Sequence, residues 1–96
     1  MEIIHLEKEN FKELIKEKVL VDFYANWSGP CKMIAPELEK AQGNLKVIKV
    51  DGDEFEDLAK EYGVMSIPTL ILFEDGKEIK RNIGFIDRDR IEKFIA

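Results

Sequence analysis

At 96 residues the chain fits one compact domain, residues 1–96, and at 45% hydrophobic and 36% charged residues it has enough apolar material for a single core under a highly charged surface. The net charge of -5, with Lys and Arg scattered along the sequence, excludes a basic stripe for nucleic acid. No apolar run approaches the ~20 residues of a membrane span, and the opening "MEIIHLEKEN" does not have the basic-then-apolar order of a secretory leader. One cysteine excludes any internal disulfide, so a cytoplasmic protein is expected.

In chain order, "EIIHL" (Glu2 to Leu6) is short and apolar and suits an edge strand. "ENFKELIKEK" (Glu9 to Lys18) places Phe11, Leu14 and Ile15 on one stripe, which predicts an amphipathic helix. "VLVDFYA" (Val19 to Ala25) is almost continuously apolar and β-prone, as a strand covered on both faces would be. The spacing predicts a helix from Cys31 to Asn44, with Met33, Ile34 and Leu38 inward and Gly43–Asn44 as its stop. Pro36 inside it removes one backbone bond and should bend it.

"LKVIKVD" (Leu45 to Asp51) is a second buried-type strand. A helix follows, with Asp53 as N-cap, Glu56 three residues on at capping-box spacing, Phe55, Leu58 and Tyr62 as its stripe, and Gly63 as its end. Two strands flank the turn Glu74–Asp75–Gly76–Lys77, because Asp-Gly between β-prone runs signals a hairpin. The last helix is capped by Asp87 and turns Ile91, Phe94 and Ile95 inward. The order β-α-β-α-β-α-β-β-α predicts an α/β fold, in which a single mixed sheet has parallel right-handed crossovers, helices on both faces and an antiparallel closing hairpin.

Three features carry chemistry. Asp22 interrupts the most apolar strand, where a carboxylate is costly unless paired or protonated and burial raises its pKa. The bland alternative is a strand-end Asp that reaches water. Its apolar neighbours on both sides favour burial and a functional role. The second is "WSGPCK", Trp27 to Lys32, at a strand-to-helix junction. A sulfur in such a first turn would have its thiolate stabilised by free N–H groups and the helix dipole. Position 28 is best placed for it and holds Ser28, which on its own reads as an ordinary N-cap before Gly29 and Pro30. Cys31, a turn later, reads as a recessed, small apolar residue. The third is "SIPT", Ser66 to Thr69, where Pro68 belongs at a strand start and its spacing alone leaves the isomer open.

Together these segments resemble the thioredoxin family. "VDFYANWSGPCKMIAP" matches its active-site segment with one letter changed, where the family has Trp-Cys-Gly-Pro-Cys-Lys. "VMSIPTLILFEDGKEI" matches its cis-proline segment, and Ile83–Gly84 its late glycine. The match runs in order over essentially the whole chain; the helix from Cys31 is about a turn shorter than usual. The resemblance implies a thioredoxin fold of about five strands and four helices and a protein disulfide oxidoreductase that donates electrons to target proteins. The first cysteine of the motif attacks a target disulfide, and the second, here Cys31, resolves the mixed disulfide. Asp22 would relay a proton for Cys31. Trp27, Gly29, Pro30, Ile67, Pro68 and Gly84 would form the docking patch, with the Ile67 backbone exposed by a cis bond to pair with an extended target segment. The implied partners are disulfide-containing target proteins and a thioredoxin reductase. A monomer is expected, with Cys31-linked dimers on oxidation if the thiol can be reached. No cofactor site and no metal-ligand cluster is expected; His5 reads as an edge or surface residue.

The sequence departs from the family at the attacking position. Ser28 is not appreciably ionised near neutral pH, and with Cys31 alone no intramolecular disulfide can close, so the chain is expected to be redox-inactive. Either a dithiol parent was substituted at position 28, or the chain is a natural non-catalytic module that uses the fold to bind. Retention of Asp22, useful only to thiol exchange, favours the first. A second departure is that Val47 falls where many family members carry a Lys near the buried Asp.

Overall fold

The computed structural model describes residues 1–96. Five strands, β1 (Glu2–His5), β2 (Val19–Tyr24), β3 (Lys46–Asp51), β4 (Thr69–Glu74) and β5 (Lys77–Ile83), form one sheet in the order β1-β3-β2-β4-β5. β1, β3 and β2 run parallel, while β4 is antiparallel to β2 and β5. Four helices complete the fold: α1 (Phe11–Leu14), α2 (Gly29–Lys40), α3 (Glu56–Glu61) and α4 (Arg88–Ile95).

β2 is central and five of its six residues are buried, as its unbroken apolar run demands. Successive side chains on a strand point to opposite faces, so β2 serves two cores. Val19, Val21 and Phe23 pack with Phe11 and Ile15, and with Phe55, Leu58 and Tyr62 at α3. Leu20 packs on the other face with Ile34 and Leu38 of α2 and Ile91 and Ile95 of α4. Asp22 shares the Leu20 face, which places it under α2. In the first core Phe11, Tyr62 and Phe73 meet edge to face or tilted, with centroids 5.2–5.9 Å apart.

Local signals set several boundaries. Asp75 and Gly76 both have positive φ, 56° and 78°, as a two-residue hairpin turn requires. Asp87 caps α4: its carboxylate accepts from the Arg90 N–H at 3.0 Å. Asp87→Ala should therefore cost about 1 kcal/mol, read as a lower urea midpoint at unchanged slope.

Elsewhere tertiary partners override local pattern. The first helix stops at Leu14 instead of running to Lys18, because the Ile15 and Lys16 carbonyls accept from Gly76 and Asp75 of the hairpin turn at 2.9 and 3.0 Å. α2 begins at Gly29 and ends at Lys40, before the expected Gly43–Asn44 stop. Ala41 is already extended, and Glu92 of α4 accepts from the Gln42 N–H at 2.8 Å. Met33 does not face inward: it is 58% exposed, and Cys31, Ile34 and Leu38 form the buried stripe. Asp53 does not cap α3. Phe55 holds the N-cap position with no side-chain bond, while Asp51 takes the turn, accepting from the Asp53 N–H through its carboxylate and from the Phe55 N–H through its carbonyl, both at 2.9 Å.

Candidate functional site

The site lies where β2 runs into α2. Ser28 is the N-cap of α2, and its hydroxyl accepts from the Cys31 N–H at 3.2 Å. The Lys32 N–H closes on the Ser28 carbonyl at 3.1 Å. The serine oxygen thus fills the helix-capping role that the sequence suggested for it. Gly29 and Pro30 form the exposed first turn. Cys31 sits on the inner stripe, 4% exposed.

Trp27 precedes the cap and is 70% exposed. Its indole N–H donates to Asp53 at 2.9 Å, which holds the ring over the β3–α3 turn. Trp27, Met65 and Ile67 border one cavity of about 210 Å³ with a mostly apolar lining. The Ile67–Pro68 peptide is cis. The Pro68 carbonyl accepts from the Gly84 N–H at 2.8 Å, and the Ser66 carbonyl accepts from the Thr69 hydroxyl at 2.6 Å. The structure therefore brings Trp27 to Ile67, and Gly84 to Pro68. Ile83 and Phe85 flank Gly84 as further exposed apolar side chains.

Beneath the helix, Asp22 is fully buried and neither carboxylate oxygen has a hydrogen-bond partner. Its nearest cation is Lys49, 3.7 Å from Oδ2, an ion-pair distance beyond hydrogen-bond reach. Burial pushes the Asp22 pKa up to about 6, and Lys49 holds it back from a larger rise. An acid poised there changes protonation close to neutral pH. Lys49 also stands over the Tyr24 ring, 4.5 Å from its centroid. Burial, then the charges of Asp51, Asp22 and Glu54, raise the Tyr24 pKa.

The residue beside Asp22 on the neighbouring strand is thus Lys49 and not Val47, so the lysine expected to be absent there is present. Strand register decides this: Asp22 pairs with Lys49, and Leu20 with Val47. Three contributors escaped the sequence reading: Lys49, Tyr24 and Asp53. Lys49 and Tyr24 border a cavity of about 160 Å³ with Cys31, Lys32 and Ala35. That space would hold a few waters but not a bulky reagent. Cys31 should therefore react with a large maleimide roughly tenfold or more slowly in the folded chain than in denaturant. Equal rates, timed by mass spectrometry, would show that the thiol is open.

A mixed five-stranded sheet with four helices, a Trp-Ser-Gly-Pro-Cys turn after its central strand and a proline-led antiparallel strand beside it make up the thioredoxin fold. The thioredoxin family profile matches residues 2–96, and the chain belongs to the thioredoxin family. It is 46% identical over 95 residues to a thioredoxin of Chlamydia trachomatis serovar D, covering 95% of this chain and 93% of the relative. It is 41% identical over 100 residues to the thioredoxin of Bacillus subtilis strain 168, covering 99% and 96%. Among solved structures, a mutant thioredoxin from Halobacterium salinarum NRC-1 superposes with a TM-score of 0.90 at 36% identity, covering 98% of this chain and 88% of that one.

Proposed function

We propose that this chain has the machinery of a dithiol–disulfide exchange protein with its attacking sulfur replaced by Ser28. In the complete cycle, a thiolate at position 28 attacks a target disulfide, forms a mixed disulfide and expels one target thiolate. The Cys31 thiolate then attacks the sulfur at position 28, the second target thiolate leaves, and two electrons have passed to the target. Asp22 takes the Cys31 proton for that second attack. Trp27, Gly29, Pro30, Ile67, Pro68 and Gly84 receive the target as an extended segment. Targets are cytoplasmic proteins with disulfides, and a thioredoxin reductase recharges the dithiol. With Ser28 in place, the chain docks targets without turning over, and it works as a monomer.

The observation that carries this reading is Asp22. A buried carboxyl with no hydrogen-bond partner lowers stability and contributes nothing to a helix cap. The test is Ser28→Cys, assayed for dithiothreitol-dependent reduction of insulin disulfides. A folded but inert variant would sink the proposal.

A second reading, a non-catalytic binding module, is favoured by the Ser28 hydroxyl, which caps α2 without any sulfur. It predicts that the Ser28→Cys variant binds the same segments and reduces nothing.

A further inference from the structure

We propose that the cleft between the loop after β1 and the start of α3 is a docking groove for a basic, apolar-bearing segment of a protein that meets the Trp27–Ile67 surface. The inference rests on the reading above that proteins dock there. The cleft is open to solvent, has a volume of about 670 Å³ and is lined by ten residues, four of them hydrophobic. The other six are all Asp or Glu, and no Lys or Arg borders it. Phe55 and Leu58, both half-buried, give it an apolar floor.

Only part of this charge is answered within the chain. Glu61 pairs with Lys12. Glu54, Glu56 and Asp57 make no ion pair. Carboxylates around an apolar floor match a segment that carries Lys or Arg beside a Leu or Phe: charge complementarity steers and orients such a partner, and the apolar side chain supplies the buried contact. A metal ion fits less well, because no three of these carboxylates come together as a metal requires.

Position supports the same occupant. The cleft opens beyond the C-terminal ends of β1 and β3, and Ser28 lies beyond that of their parallel neighbour β2. Sites of open α/β sheets gather at that end. Asp53 joins the two surfaces: it lines the cleft, borders the apolar cavity below Trp27, and accepts from the Trp27 indole. A partner seated over Trp27 would need only a short basic stretch to reach the groove.

The experiment is an amide NMR titration of the chain as it stands, with Ser28, using the peptide acetyl-Lys-Leu-Arg-Lys-Phe-Lys-amide. Shifts are expected at residues 6–11 and 53–61, and affinity should fall about tenfold between 20 and 200 mM salt. The double variant Glu54→Gln, Asp57→Asn should weaken binding at least about fivefold and keep the fold. Spermine and calcium are run as probes of charge alone. The proposal is overturned if the peptide causes no shifts at millimolar concentration, shifts only the Trp27–Ile67 surface, or binds the double variant equally well. It is also overturned if spermine or calcium reproduces the shifts at equal affinity. Because this readout needs no thiol at position 28, its failure is distinct from failure of insulin reduction by the Ser28→Cys variant.

Discussion

Asp22→Asn is expected to raise the unfolding free energy by about 3 kcal/mol at pH 7. The buried carboxyl titrates near 6 in the folded chain, against an ordinary 3.8. Roughly two pKa units at about 1.4 kcal/mol each give that figure. For an acid whose folded pKa is raised, the native state holds its proton longer than the unfolded chain does. Stability is therefore lost as pH rises from about 4 to about 6, and the full deficit persists above 6. A neutral amide of the same shape has no such deficit. The gain should be complete at pH 7, about half developed near pH 5, and close to zero at pH 4. At this chain length it corresponds to a rise in Tm on the order of 10 °C. Lys49 loses its ion pair, but it is 12% exposed at its side chain and keeps the Tyr24 ring beneath it. Urea unfolding of both proteins across pH 4 to 8 is the measurement. A difference that does not change with pH would mean that Asp22 is not an ionised buried acid at pH 7.

Ser28→Cys should change the chain from background to catalysed reduction of insulin. The substituted sulfur would occupy the N-cap of a 12-residue helix, facing N–H groups that Ser28 now engages through the Cys31 amide. Helix N-termini lower a thiol's pKa. A fall from about 8.5 to about 7 raises the thiolate fraction at pH 7 roughly fifteenfold. Turnover also requires Cys31. Adding Cys31→Ser to the variant should leave the first attack intact and stop the cycle there, trapping one target per chain as a mixed disulfide visible on a non-reducing gel. Adding Asp22→Asn should slow the second attack most at neutral pH, since the acid that accepts the Cys31 proton is gone. Unchanged release kinetics in that variant would remove Asp22 from the proton path.

Much of this protein is legible in its sequence, because the signals involved act over a few residues. Asp75–Gly76 specifies its turn through two positive φ angles. Asp87 specifies the start of α4 through one side-chain bond. The apolar run from Val19 marks a strand buried on both faces, and Asp22 within it marks the site. The order of elements and the motif at Ser28 follow from the same local patterns.

What the sequence left open depends on groups far apart in the chain. The first helix ends early because the hairpin turn takes its carbonyls, some sixty residues away. Asp53 satisfies Trp27 instead of capping α3. The residue beside Asp22 is Lys49 and not Val47, because a parallel strand pairs in a register that no local pattern encodes. Periodicity, caps and turn residues determine which elements form, since their energies are local. Which buried charge meets which cation, and which carboxylates gather around one cleft, is decided only when the sheet brings distant strands and loops to the same end.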